Sequence, residues 1–286
     1  MIFGLVTALG WGFADLFAAL SGRRIGSWAT VVLANASAAA VISVVLFAVQ
    51  PSFEGMDSVL VWLVPNSLLV VLAYLSLYRA LELGPLAILS PLLASYALIP
   101  ILLSVALLDE SLTPLQVVGI VVTMIGAMLT SADLRAVRAG TARVPEGLTW
   151  GVAAALLFGV ATFTIGWAAQ EVSAIPVLWV ARTTAFGVFL VGALALKLLR
   201  GRTFAGSVPV SAFALPLALG AVDVLGTLSY SYGAEVGLVS VVSAVSATYP
   251  VIPVFGGIRL LGERPAPSQY GGVALVVTGL VLLGVG

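Results

Sequence analysis

The chain contains no cysteine, no histidine and only one lysine, Lys197. Without cysteine there are no disulfide frameworks and no thiol nucleophiles. Without histidine as well there are no Cys/His zinc sites, no haem ligation through His and no His-based catalytic triad. A single lysine outside any glycine-rich phosphate loop leaves no Walker-type nucleotide site, so the chain has no ATP-hydrolysing module of its own and calls for no cofactor. Charge is scarce too: 8% of the 286 residues are charged, where a soluble domain has roughly a quarter. The net charge of zero argues neither for nucleic acid nor for a polybasic membrane patch.

What is abundant is apolar. Hydrophobic residues make up 61% of the chain and the mean hydropathy is +1.20, the composition of a polytopic membrane protein. A helix needs about 20 apolar residues to cross the hydrocarbon core. Reading between charged or Pro/Gly-rich breaks predicts ten spans, near 2–20, 28–49, 58–79, 84–107, 114–131, 148–168, 174–199, 210–232, 237–260 and 267–285. The first is read as a span rather than a signal peptide, because no basic region precedes it. Connectors are short, and no soluble domain is left over. The longest, a basic linker over 132–147, separates two sets of five helices at 1–131 and 148–286.

Basic residues alternate between connectors. Arg23, Arg24, Arg79, Arg135, Arg138, Arg143, Lys197, Arg200, Arg202, Arg259 and Arg264 follow odd-numbered spans. Connectors after even-numbered spans hold Glu54, Asp57, Asp109, Glu110, Glu171 and Glu235 and no Lys or Arg. The positive-inside rule then puts the odd connectors in the cytoplasm and both termini outside.

The halves repeat. Shifted by 153 residues, "ELGPLAILSPLLASYALIPILLSVALLDESLTPLQVVGIVVTMIG" from Glu82 lies over "EVGLVSVVSAVSATYPVIPVFGGIRLLGERPAPSQYGGVALVVTG" from Glu235 without a gap. Tyr96/Tyr249, Pro100/Pro253, Glu110/Glu263, Pro114/Pro267, Gln116/Gln269, Gly119/Gly272 and Gly126/Gly279 all coincide. A weaker match sets "GLVTALGWGFA" from Gly4 over "GVAAALLFGVA" from Gly151, at a shift of 147. An odd number of helices per unit makes the second enter the membrane from the opposite side, an inverted-topology repeat with its site at the repeat interface. The expected fold class is an all-α polytopic membrane protein, ten transmembrane helices arranged as two inverted five-helix repeats.

Each half resembles one copy of the repeat of the drug/metabolite transporter superfamily, in its ten-helix EamA branch. The motif is "YALIPILLSVALLDESLTPLQVVGIVVTMIGAML" and, in the second copy, "YPVIPVFGGIRLLGERPAPSQYGGVALVVTGLVLL", with its proline, (G/D)-E pair, Gln and two glycines. The resemblance implies a carrier in the cell or cytoplasmic membrane for small organic solutes, often amino-acid-like metabolites or drugs and often exported. Many members carry an Arg in the second helix of each repeat; here the second copy has Arg182 and the first has Asn35. The termini-outside reading also departs from the termini-inside arrangement expected of many members.

Three charged residues fall deep in predicted spans: Asp15, Arg182 and Asp223. Unpaired, they would together cost roughly 8–10 kcal/mol, comparable with the stability of a whole domain at about 5–15 kcal/mol. They must face one another, water or a ligand. Asp15 shares a helical arc with Gly4, Ala8, Gly12 and Ala19, and Asp223 shares one with Pro216, Gly220, Thr227 and Tyr230. Such small-residue faces admit a neighbouring helix, so both acids are expected to point into the bundle. Trp179 and Phe186 flank Arg182 at helical spacing. Two readings stand. Arg182 pairs with one aspartate and pins helices together, or at least one aspartate lines a solute cavity and takes a cationic group or a coupling proton. One Arg cannot compensate two aspartates, and an acid in a dry bundle is poorly solvated as an anion, which suits a proton carrier.

Trp11, Tyr74, Tyr78, Tyr96, Tyr230 and Tyr249 are further candidates for contact with an amphipathic solute, beside the ordinary role of aromatic anchors. Asn35 suits interhelical hydrogen bonding. Pro91, Pro100, Pro250 and Pro253 are expected to interrupt their helices, and Glu110 and Glu263 to cap the helices beginning near Pro114 and Pro267.

The leading expectation is a secondary transporter that alternates access around a central site, by proton exchange or as an uncoupled facilitator. A membrane-embedded lipid-modifying enzyme would place acids at the interface beside metal or phosphate ligands, and a scaffold would give no reason for Asp15 and Asp223. The expected partners are a small-molecule solute, the bilayer and protons; one chain suffices to enclose a cavity.

Overall fold

The computed structural model describes residues 1–83, 92–131, 147–200, 213–261 and 266–286. Among these the chain is helical and has no strand. That follows from the solvent: in hydrocarbon each backbone N–H and C=O needs a partner within the segment, and apolar sequence has only the helix to offer. The helices are α1 (Ile2–Ile25), α2 (Ser27–Val49), α3 (Met56–Leu83), α4 (Leu98–Leu107), α5 (Pro114–Ser131), α6 (Gly147–Glu171), α7 (Ala174–Arg200), α8 (Ala214–Glu235), α9 (Val239–Ser246), α10 (Val251–Leu261) and α11 (Pro267–Val285). The described parts of the predicted spans overlap these helices; 84–91 and 210–212 lie outside the described residues. The linker expected over 132–147 lies almost wholly outside the described residues, as do Pro91, Glu263 and the side chain of Tyr78.

Among the described residues seven helices, α1, α2, α3, α6, α7, α8 and α11, are long and apolar enough to cross a membrane; Leu92–Leu107, Pro114–Thr130 and Val239–Pro253 are shorter. Two of these three segments are broken. A 3-10 turn, Ser95–Ala97, precedes α4, and a turn over 247–250 separates α9 from α10. Pro100 and Pro253 each stand third in the helix that follows the break. There a missing N–H is tolerated, so both prolines start a helix rather than interrupt one. α1 ends at Gly26, whose φ of +82° turns the chain so that α2 begins at the next residue.

The outside of the bundle is apolar: Phe47 is 74% exposed, Val191 67% and Leu102 63%. Water would penalise such a surface, and lipid does not. Inside, small residues let the backbones meet. α1 packs on α8 and α3 on α6; α2 touches α7 and α8, while α3 touches α7. α5 and α11 cross where a Cβ on Gly126 would stand 2.9 Å from the Gly272 carbonyl oxygen, and one on Gly279 2.9 Å from that of Gly119. Likewise a Cβ on Gly12 would stand 2.8 Å from the Tyr249 carbonyl oxygen, and one on Gly159 2.8 Å from that of Tyr96. Only glycine allows approaches this close.

Helix ends are capped across the chain as well as locally. Thr113 and Gln116 exchange side-chain and backbone hydrogen bonds before α5, and the Ala266 N–H donates to Gln269 before α11. The Ala174 N–H donates to Glu235 at 2.8 Å. Glu110 departs from expectation. Its carboxylate accepts the N–H groups of Val239 and Ser240, so it caps α9 and not the helix beginning at Pro114. The nearer helix start is already served by Thr113 and Gln116, which leaves the carboxylate for a helix N-terminus elsewhere in the fold.

Candidate functional site

A cavity of about 280 Å³ lies among α1, α3, α6, α7 and α8, closed in part by the two helix breaks. Its size is near the lower end of small-molecule sites, about 300–1,000 Å³. Trp11 and Asp15 face it from α1, Asn66 and Tyr74 from α3, and Phe158 and Thr162 from α6. Arg182 comes from α7, Asp223 and Thr227 from α8, Tyr96 and Tyr249 from the breaks.

One corner is built as an ion pair around a hydroxyl. Arg182 Nη2 lies 2.7 Å from Asp223 Oδ2, with the two side chains 14% and 23% exposed. The same Nη2 donates to Thr227 Oγ1 at 2.6 Å, and Trp11 Nε1 donates to that oxygen at 3.2 Å. Thr227 in turn donates to the Asp223 carbonyl one helical turn back, at 2.9 Å. A hydroxyl has one donor and two acceptor positions, and all three are used. Trp11 is further held by Tyr230, which stacks on it at 5.7 Å between centroids.

Asp15 has no such setting. It is exposed to the cavity and has no ion-pair or hydrogen-bond partner among the described residues. Beside it the rings of Trp11, Tyr96 and Tyr249 form a chain, each step 6.4 Å between centroids. Two further lining groups are unmatched among the described residues: Arg182 Nε, and Asn66, which is 1% exposed with neither its amide nitrogen nor its amide oxygen bonded. Leaving such a pair buried costs about 1–3 kcal/mol per group.

The structure therefore brings Asp15, Asp223, Arg182, Trp11, Tyr74, Tyr96 and Tyr249 to one cavity. Tyr230 and Asn35 stand behind the wall. Tyr230 is fully buried, its hydroxyl 3.0 Å from Ser243 Oγ. Asn35 is 5% exposed and its Nδ2 donates to the Val31 carbonyl in its own helix, which makes it intrahelical rather than interhelical. Asn66, Thr162 and Phe158 were not legible as site residues. The one available signal was an uncharged amide directly after Pro65 in an otherwise apolar helix.

The model of the EamA-like transporter family matches residues 1–132 and 145–285. An uncharacterized protein of Methanocaldococcus jannaschii is 29% identical over 131 residues, 46% of this chain and 95% of its own length. A crystal structure 21% identical to this chain covers 98% of it and 94% of the other chain, with a TM-score of 0.76, which establishes a shared fold. With both halves matched and, among the described residues, seven helices long and apolar enough to cross a bilayer, the chain is an integral membrane protein that belongs to the EamA-like transporter family of the drug/metabolite transporter superfamily, a family of membrane transporters of small solutes.

Proposed function

We propose that this protein is a secondary carrier that exports a small organic solute across the cytoplasmic membrane in exchange for protons. Its two inverted five-helix units, 1–131 and 148–286, alternate access to the central cavity, and Asp15 is the coupling acid. Both termini are outside and the 132–147 linker is cytoplasmic.

The single observation that carries this reading is the unequal treatment of two acids in one cavity. Arg182 matches Asp223 at 2.7 Å, while Asp15 faces open space without a partner among the described residues. A group left free to gain and lose a proton is what coupling requires.

The two-unit reading is supported by contacts that recur under exchange of the halves. α1 on α8 corresponds to α6 on α3, and α2 on α8 to α7 on α3. Gly12 approaches Tyr249 as Gly159 approaches Tyr96, both at 2.8 Å. A relative matched over 95% of its length by 46% of this chain is in keeping with a half-length unit. Met1 lies by Gly284, which puts both chain ends on one side and favours an even number of crossings.

The test uses proteoliposomes loaded with a pH-sensitive dye and a panel of amines, amino acids and metabolites. Solute-dependent proton flux present in wild type and absent in Asp15→Asn is the expected result. Solute movement without proton flux, unchanged in Asp15→Asn, would leave a facilitator and make Asp15 structural.

A further inference from the structure

We infer that the cavity takes an organic monocation bearing a carboxamide or an equivalent paired donor and acceptor, and not a zwitterion. This rests on the carrier reading above for its role in transport, but the binding argument stands on the lining itself.

The charge balance comes first. Among the described residues facing the cavity, the charged ones are Asp15, Asp223 and Arg182. Two carboxylates and one guanidinium leave one negative charge, and the guanidinium's Nη2 is already engaged by Asp223 and Thr227. An ammonium group has a waiting partner in Asp15. A solute carboxylate meets only the unpartnered Nε of Arg182, on a guanidinium whose charge Asp223 already balances, with Asp15 adding a second negative charge to the cavity. The site therefore matches a single positive charge.

The apolar wall comes second. Trp11, Tyr96 and Tyr249 stand 6.4 Å apart in succession beside Asp15. Aromatic faces attract an organic cation and hold a flat or branched hydrocarbon body. Neither the Tyr96 nor the Tyr249 hydroxyl is hydrogen-bonded among the described residues, so both can still serve a ligand.

Asn66 supplies the third element. Its side chain is in the cavity wall and almost wholly buried, yet both ends of its amide lack a partner. A primary amide offers one donor side and one acceptor side in a plane, and the group complementary to both at once is another amide. The neighbouring Ser67 is tied across to Thr184 of α7, which fixes this part of α3 against the wall.

Purified full-length protein is titrated calorimetrically with L-phenylalaninamide, phenethylamine, L-phenylalanine and N-acetyl-L-phenylalaninamide at about pH 7, where the free amines are still mostly protonated. The same four compounds are then tested for counterflow in proteoliposomes. Phenylalaninamide is expected to bind about tenfold more tightly than phenethylamine, and phenylalanine and the neutral amide still more weakly. In Asn66→Leu the advantage over phenethylamine disappears, and the protein is no less stable, since an unmatched polar group has been replaced by an apolar one of similar size. In Asp15→Asn the preference of the site for cations is lost. Phenylalanine binding as tightly as its amide, or none of the four binding, overturns the inference. Phenylalanine exchanged in counterflow as fast as its amide overturns it too and leaves the carrier reading intact. Selective binding of the amide with no counterflow of it leaves the inference standing and removes the carrier reading.

Discussion

Asp15 on α1 and Asp223 on α8 belong to helices that pack together, and they line the same cavity. Their surroundings differ. Asp223 is joined to Arg182, which is joined to Thr227, which is joined to Trp11. Asp15 has rings beside it and no hydrogen-bonding partner among the described residues. The comparison teaches that the role of an acid in a bilayer is set by what stands opposite it and not by its depth or its helix. A compensated acid holds helices together; an uncompensated one is available to a solute or a proton.

The sharpest way to break this comparison is to remove Asp223. Asp223→Ala strands Arg182 in a partly closed cavity and is expected to lower stability by about 3 kcal/mol, read from unfolding in mixed detergent micelles. The double variant Asp223→Leu with Arg182→Met is expected to recover most of that loss, because no charge is left uncompensated. An Asp223→Ala protein as stable as wild type would mean that the pair holds nothing.

Next in size are the two close approaches. Gly12→Ala and Gly159→Ala each force a methyl group against a carbonyl oxygen, and each is expected to lose about 1–3 kcal/mol. Similar losses sharpen the two-unit reading; a loss at one position alone argues against equivalent halves. Thr227→Val keeps the shape and removes the hydroxyl that links Arg182, Trp11 and the α8 backbone. A loss of about 1–2 kcal/mol is expected by the same unfolding measurement. The smallest stability effect is expected at Asp15. Asp15→Asn should leave unfolding within about 0.5 kcal/mol of wild type and abolish solute-driven proton flux. A large destabilisation there would erase the distinction between the two acids.

Much of the fold was legible because its causes are local. Apolar runs marked the helices, whereas the caps supplied by Thr113, Gln116 and Gln269 were passed over in favour of Glu110 and Glu263. The paired motif around Tyr96 and Tyr249 carried the family resemblance, which the match over both halves bears out. The breaks beside those tyrosines were only half legible. Pro100 and Pro253 pointed to them, but which side of a proline continues as helix depends on what the freed carbonyls meet. The target of Glu110 was not legible at all, since the start of α9 is near it only in space.

The site divides in the same way. Insertion cost singled out Asp15, Arg182 and Asp223, because a charge in hydrocarbon is conspicuous in any sequence. An uncharged amide is not, and Asn66 passed unmarked through an apolar helix until its buried, unbonded amide could be seen.

The sequence by itself determined that this chain lives in a membrane, where its helices run, and to which family it belongs. Hydropathy and motif spacing act along the chain and can be read along it. Only the tertiary structure decided that Arg182 goes to Asp223 and leaves Asp15 free, that Tyr230 and Asn35 turn away from the cavity, and that Asn66 turns toward it. Those outcomes depend on which helix faces meet. In a bundle held by close packing of small residues, facing is settled by fit between distant segments, which no single segment specifies.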